Sequence, residues 1–177
     1  MKDEQRFDDE TVWLLDTVMG KIAISEQHTV LDFGCGIGRV SKPLIQQCGC
    51  RVIGVDSNAS MRSLAMQYVN DHRFTAVDQY LELGSVQLAL ACLVLQHVAD
   101  PAEEIARLAY NLHDDGWLVV VNDLHRLVPV GVDRNGYVIW HDDGLDIFLM
   151  LSQFFTLVRS LPYFGSQARL NFYRKLV

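Results

Sequence analysis

The chain has 177 residues, half of them hydrophobic, and 22 acidic against 15 basic residues leave a formal net charge of −7. That length suits one domain with a real core, and the acidity argues against nucleic acid and anionic membrane as partners. No apolar run reaches the ~20 residues of a membrane span, and the opening MKDEQRFDDE lacks an apolar signal core. The cysteines, Cys35, Cys48, Cys50 and Cys92, build no tetrahedral cluster with histidine, so no metal and a cytoplasmic location are expected.

In chain order, acids and a Thr precede apolar Val12, Leu15, Val18 and Met19, which predicts an amphipathic helix over 8–20. Thr29 to Phe33 reads as a buried strand. A helix follows over 39–48, with Pro43 in its first turn. Arg51 to Val55 is a second strand, 58–70 a helix, Phe74 to Val77 a third strand and Val86 to Cys92 a fourth. Asp100-Pro101 caps a helix running to about Leu112, and Gly116 opens a fifth strand, WLVVVND. Strands alternating with helices predict a parallel, doubly wound α/β sheet with its ligand loops on one edge.

After Asp123 the pattern changes to a polar, glycine-containing stretch over 124–144. A helix is expected over 145–152 and strands over 154–163 and 170–177. The connection between these strands is too short for a crossover helix, so they should pair antiparallel. The whole reads as a single domain over 1–177, with 1–28 as an N-terminal helix region and 124–150 as a substrate lid.

The first strand runs into VLDFGCGIG, residues 30 to 38. A dinucleotide binder would carry Gly-x-Gly-x-x-Gly; here Arg39 stands at the third glycine's place after Gly34 and Gly36. A diphosphate suits bare glycine amides at a helix start, whereas a carboxylate such as Asp32 favours a cationic ligand. S-adenosylmethionine carries an ammonium and a sulfonium and no phosphate. Asp56 closes the second strand, where a ribose carboxylate is expected, and Asp78 closes the third.

On these residues the chain resembles the class I S-adenosylmethionine-dependent methyltransferases of small-molecule type. VLDFGCGIGR is similar to their first motif, GVDSNASM to the second and VDQY to the acidic motif after the third strand. VQLALACLVLQHVADP resembles their fourth-strand segment and DDGWLVVVND their fifth. Gln87 departs from the family, which often has Asp there, and no separate lid domain is present.

The resemblance implies a Rossmann-like three-layer α/β/α sandwich. Its mostly parallel seven-stranded sheet would have one antiparallel strand and the order 3-2-1-4-5-7-6. It implies S-adenosylmethionine as cofactor, S-adenosylhomocysteine as product and no metal. Asp32 would hold the methionine ammonium through water, and Gly34, Cys35 and Gly36 would admit the backbone close to the methionine. Asp56 with Ser57 would take the ribose, Met61 would lie against adenine, and Asp78 and Gln79 would address its edge. Cys92 would offer backbone carbonyls near the amino group.

The acceptor is expected to be a small or medium organic molecule, methylated on oxygen or nitrogen. Alignment supplies most of the acceleration, and a base is needed only where the acceptor must lose a proton. His97 and His125 are the candidates for that base, and Tyr137, Trp140 and His141 for the acceptor wall. No Asn-Pro-Pro-Tyr segment follows the fourth strand, which argues against a base-amino DNA methyltransferase. The alternatives are a protein or RNA methyltransferase, or a non-catalytic partner subunit that binds S-adenosylmethionine.

Overall fold

The structure is a computed structural model that describes residues 2–80, 86–122, 128–134 and 138–176. The elements are α1 (Lys2–Met19), β1 (Thr29–Phe33), α2 (Ser41–Cys48), β2 (Arg51–Val55), α3 (Ala59–Val69), β3 (Phe74–Val77) and β4 (Val86–Cys92). A short 3-10 turn (Leu95–His97) follows, then α4 (Pro101–Asn111), β5 (Leu112–Asn122), β6 (Val128–Val132), β7 (Val138–His141), α5 (Ile147–Leu151), β8 (Phe155–Pro162) and β9 (Arg169–Lys175).

Seven strands form one sheet in the order β3-β2-β1-β4-β5-β9-β8. The pairs from β3 to β5 are parallel, and β9 lies antiparallel to both β5 and β8. This is the expected order 3-2-1-4-5-7-6 once β6 and β7 are set aside as a separate two-stranded hairpin. The strands are apolar on both sides because helices cover both faces. Leu14, Leu15 and Val18 of α1, Leu44 and Ile45 of α2 and Val69 of α3 pack against Leu88, Leu90, Val119 and Val121 on one side. Ile105 and Leu108 of α4 and Ile147 and Leu151 of α5 meet Ala89, Ala91, Leu118 and Val120 on the other.

Local chemistry sets the boundaries. Asn58 caps α3 by accepting from the Ser60 and Met61 amides, and Asn70 ends it in the left-handed region. The Asp100 carboxylate accepts from the Glu103 amide, with Pro101 opening α4. Gln87 is structural, since its Oε1 accepts the Thr29 amide at 2.9 Å and so ties the start of β1 to β4.

Several elements differ from expectation. The first helix begins at Lys2 rather than at 8, because KDEQRF contains good helix formers and no breaker. The second begins at Ser41 rather than Arg39, because the glycine turn continues through Val40. The fifth strand begins at Leu112, where a register shift between Val86 and Leu88 absorbs the residues before Trp117. The stretch 124–144, read as polar and glycine-containing, contains β6 and β7, whose alternation is broken by Pro129 and Gly131.

Candidate functional site

The carboxyl ends of β1, β2, β3 and β4 lie side by side, as parallel pairing requires. The chain leaves β1 through Gly34 and Cys35, whose amides both donate to the Val55 carbonyl at 2.8 and 2.9 Å. Gly34 has φ of 74°, and a Cβ there would stand 2.5 Å from the Val94 side chain, so the turn and the segment after β4 close only over glycine. Gly36 has φ of 53°, and a Cβ there would meet nothing within 4 Å. One glycine is needed for packing, and the other faces open space.

Asp56 fixes this turn to the end of β2. Its Oδ2 accepts the Gly36 amide at 3.0 Å and its Oδ1 the Asn58 amide at 2.8 Å. Each oxygen keeps a second lone-pair site, so the carboxylate is oriented and still able to accept from a vicinal diol. Arg62, which carries no motif in the sequence, braces the same loop. Its Nη1 donates to the carbonyls of Asp56 at 2.7 Å and Ser57 at 3.0 Å, and its Nη2 lies 3.7 Å from Asp78.

Asp56, Ser57, Asp78, Gln79 and Gly34 line one cleft of about 440 Å³, with His97 and Val94 on the facing wall. Tyr80 closes its far side, buried and donating to Glu104 at 3.2 Å. Of the other expected positions, Asp32, Cys35, Gly36, Met61 and Cys92 are not in this lining. Met61 is 38% exposed on α3.

Asp32 lies beneath the turn, 3% exposed, and accepts from the Ser41 hydroxyl at 2.6 Å. Burial pushes its carboxyl up to about 6, against the opposing pull of Ser41 and Arg39. The thiols of Cys35 and Cys92 are pushed up to about 12, by burial first and then by Asp32, which makes both packing groups rather than nucleophiles.

A second group of side chains meets at the ends of β1 and β4. Glu10 of α1 is buried, takes a short hydrogen bond from the Tyr163 hydroxyl and lies 3.5 Å from Arg39. Arg39 also donates to the Thr11 hydroxyl at 2.5 Å and to the Phe7 carbonyl at 3.2 Å. Cys92 packs on the same apolar cluster as Trp13, Tyr163 and Phe164, which places this corner beside the end of β4. Neither Glu10 nor Tyr163 carries a motif, so only the fold could bring them forward.

His141 is exposed at the end of β7. Trp140 lies on the same strand, though only its backbone position is described, and His125 and Tyr137 lie outside the described residues. Among the described residues, no group of three His, Cys, Asp or Glu side chains could hold a metal ion. Likewise no described helix is long and apolar enough to cross a membrane.

A family profile described as a methyltransferase domain matches residues 13–155. The ubiquinone biosynthesis O-methyltransferase of Bradyrhizobium diazoefficiens is 35% identical over 103 residues, 55% of this chain and 40% of that protein. The trans-aconitate 2-methyltransferase of an Azoarcus species is 28% identical over 118 residues, 65% of this chain and 47% of that one. The chain thus spans less than half the length of these relatives. Among solved structures, the N-methyltransferase NodS of Bradyrhizobium japonicum superposes with a TM-score of 0.72 over 99% of both chains at 17% identity, a likeness of fold.

Proposed function

The chain belongs to the methyltransferase-domain family, and we propose that it moves a methyl group from S-adenosylmethionine to an oxygen or nitrogen of a small or medium organic acceptor. The observation that carries this reading is the Asp56 carboxylate, fixed by two backbone amides at a cleft mouth with a lone-pair site spare on each oxygen. Such a group recognises a ribose diol. The open space at Gly36 and the absence of a phosphate-type glycine pattern favour a nucleoside without phosphate.

In this reading Asp56 and Ser57 hold the ribose, and Asp78 and Gln79 meet the adenine edge. Gly34, Cys35 and Gly36 let the backbone approach the methionine part. Cys92 offers its carbonyl near the amino group, and Met61 flanks the adenine from α3. Asp32 acts from beneath, through Ser41 and water, on the ammonium. The bound cofactor supplies a methyl group already activated on sulfonium. What remains for the protein is alignment, exclusion of water and, for a hydroxyl acceptor, a place for its proton.

His97, on the cleft wall, and His125 are candidates to receive that proton, and the 124–150 segment with Tyr137, Trp140 and His141 would cover the acceptor. The two curated relatives act on small molecules by name, which supports a small acceptor. The protein is proposed to work in the cytoplasm without a metal, and its charge of −7 disfavours an RNA acceptor.

Calorimetry with S-adenosylmethionine, S-adenosylhomocysteine and NAD tests the reading. Micromolar binding of the two sulfur nucleosides and none of NAD is expected. Absence of sulfur-nucleoside binding would overturn it and leave the protein as a partner subunit.

A further inference from the structure

The cleft at Asp56 explains how a nucleoside is held but not what receives the methyl group. The corner formed by Glu10, Arg39, Tyr163 and Cys92 has features that the nucleoside does not use. Glu10 is a buried carboxylate with both of its donors on one oxygen: the Tyr163 hydroxyl and the Arg39 guanidinium engage Oε1. Oε2 accepts from no described residue, and since no buried side-chain oxygen among them lacks a partner, this oxygen is the one that faces out of the corner. A carboxylate held by two donors on one oxygen, with the other oxygen open, has the form of an oriented hydrogen-bond acceptor.

Backbone strain points to the same place. The described non-glycine residues with positive φ are Asn70, Leu93 and Phe164. Asn70 caps α3, where asparagine adopts that conformation readily. Phe164 (φ 33°) precedes Gly165 (φ 70°) in the turn closed by the Ser166 amide on the Tyr163 carbonyl, where positive φ at both central residues is the rule, whereas Leu93 (φ 55°), which directly follows Cys92, has no such excuse. Strained backbone of this kind persists where surrounding structure holds it, often at binding sites. Aromatic rings form one wall: Trp13, one turn along α1 from Glu10, packs edge-on against Tyr163 at 5.6 Å and tilted against Phe164 at 6.0 Å.

We propose that Glu10 Oε2 is the acceptor-binding atom and base, taking the hydroxyl of a phenolic acceptor seated against Trp13 and Phe164. This deepens, and rests on, the methyltransferase reading above. Arg39 already balances the Glu10 charge, so a neutral O–H donor gains more here than an ammonium would. Tyr163 and Arg39 are positioning residues, which hold Oε1 so that Oε2 stays aimed. In the transfer the hydroxyl proton passes to Oε2 as the phenolic oxygen takes the methyl group, and the bonding pair of the broken carbon–sulfur bond stays on sulfur. The corner joins α1 to the turn between β8 and β9, so neither segment makes the site alone.

The test uses catechol and benzylamine as probes on the full chain saturated with S-adenosylhomocysteine, in calorimetric titrations. Catechol should bind the loaded wild type, and Glu10→Gln, which keeps the shape but removes the charge, should weaken it at least tenfold. Tyr163→Phe should weaken it less, because Arg39 still engages Oε1. Should Glu10→Gln fail to fold, Glu10→Asp retains the charge but withdraws the oxygen, and a clear loss of catechol affinity is again expected. Equal catechol affinity in wild type and variant, no catechol binding to the loaded wild type, or benzylamine binding in its place would each overturn the proposal. Failure of the wild type to bind S-adenosylhomocysteine is a separate result and removes the cofactor reading instead.

Discussion

Asp56 and Asp32 are both strand-end carboxylates, and their surroundings differ. Asp56 is satisfied by two amides at a solvent-filled mouth, so Asp56→Ala should weaken S-adenosylhomocysteine binding by roughly 1.5–3 kcal/mol, the scale of hydrogen bonds to a charged group. Calorimetry reads this directly, and unchanged affinity would move the ribose elsewhere. Asp32 is enclosed, and burial raises its carboxyl from 3.8 to about 6. Between those values the native state holds more protons than the unfolded chain, so the stability that the protonated Asp32 contributes is full below pH 4 and is lost as pH rises through 6. The loss amounts to about 3 kcal/mol at most. Urea midpoints taken from pH 4 to 7 should fall less steeply for Asp32→Asn than for wild type; parallel curves would refute the assignment.

The glycine turn illustrates why similar residues in one element are not equivalent. Gly34→Ala meets both positive φ and Val94 at 2.5 Å, and should cost on the order of 2–4 kcal/mol of stability. Gly36→Ala meets only the φ penalty, about 1 kcal/mol, yet enters open space beside Asp56 and, under the proposed function, should lower S-adenosylhomocysteine affinity at least tenfold. Denaturation and titration of the two variants should therefore rank them in opposite orders.

The elements of the nucleotide half were readable because each carries local chemistry. An apolar run ends at an acid, Asn58 caps α3, and Asp100-Pro101 opens α4. What escaped the sequence was set by tertiary contact. Arg62 is one more polar residue of a helix until Asp56 and Asp78 are placed beside it. The extension of β5 to Leu112 depends on a shifted register with β4. The hairpin of β6 and β7 lacks clean alternation, because Pro129 and Gly131 interrupt it. Glu10 reads as a charge on an amphipathic helix, and its burial follows only from where α1 crosses the sheet.

At the scale of the molecule, the seven-stranded sheet and the β6–β7 hairpin are separate hydrogen-bonded units. Replacing residues 128–141 with a short glycine-serine linker should leave a cooperative thermal transition and S-adenosylhomocysteine affinity within about threefold of wild type, while methyl transfer falls. A protein that no longer melts cooperatively would show that the hairpin belongs to the core after all.

The hydrogen bond from Tyr163 to Glu10 spans 153 positions of sequence, whereas the nucleoside cleft draws on Phe33 to Arg107. Contacts of such separation form late, because the chain between them must first be ordered. During synthesis the cleft residues leave the ribosome well before Tyr163, so a nascent chain can gather the cleft at Asp56 while the corner of Glu10 and Tyr163 does not yet exist. Under the proposed function, the cofactor would then act as a folding ligand for a chain that is still unable to spend it.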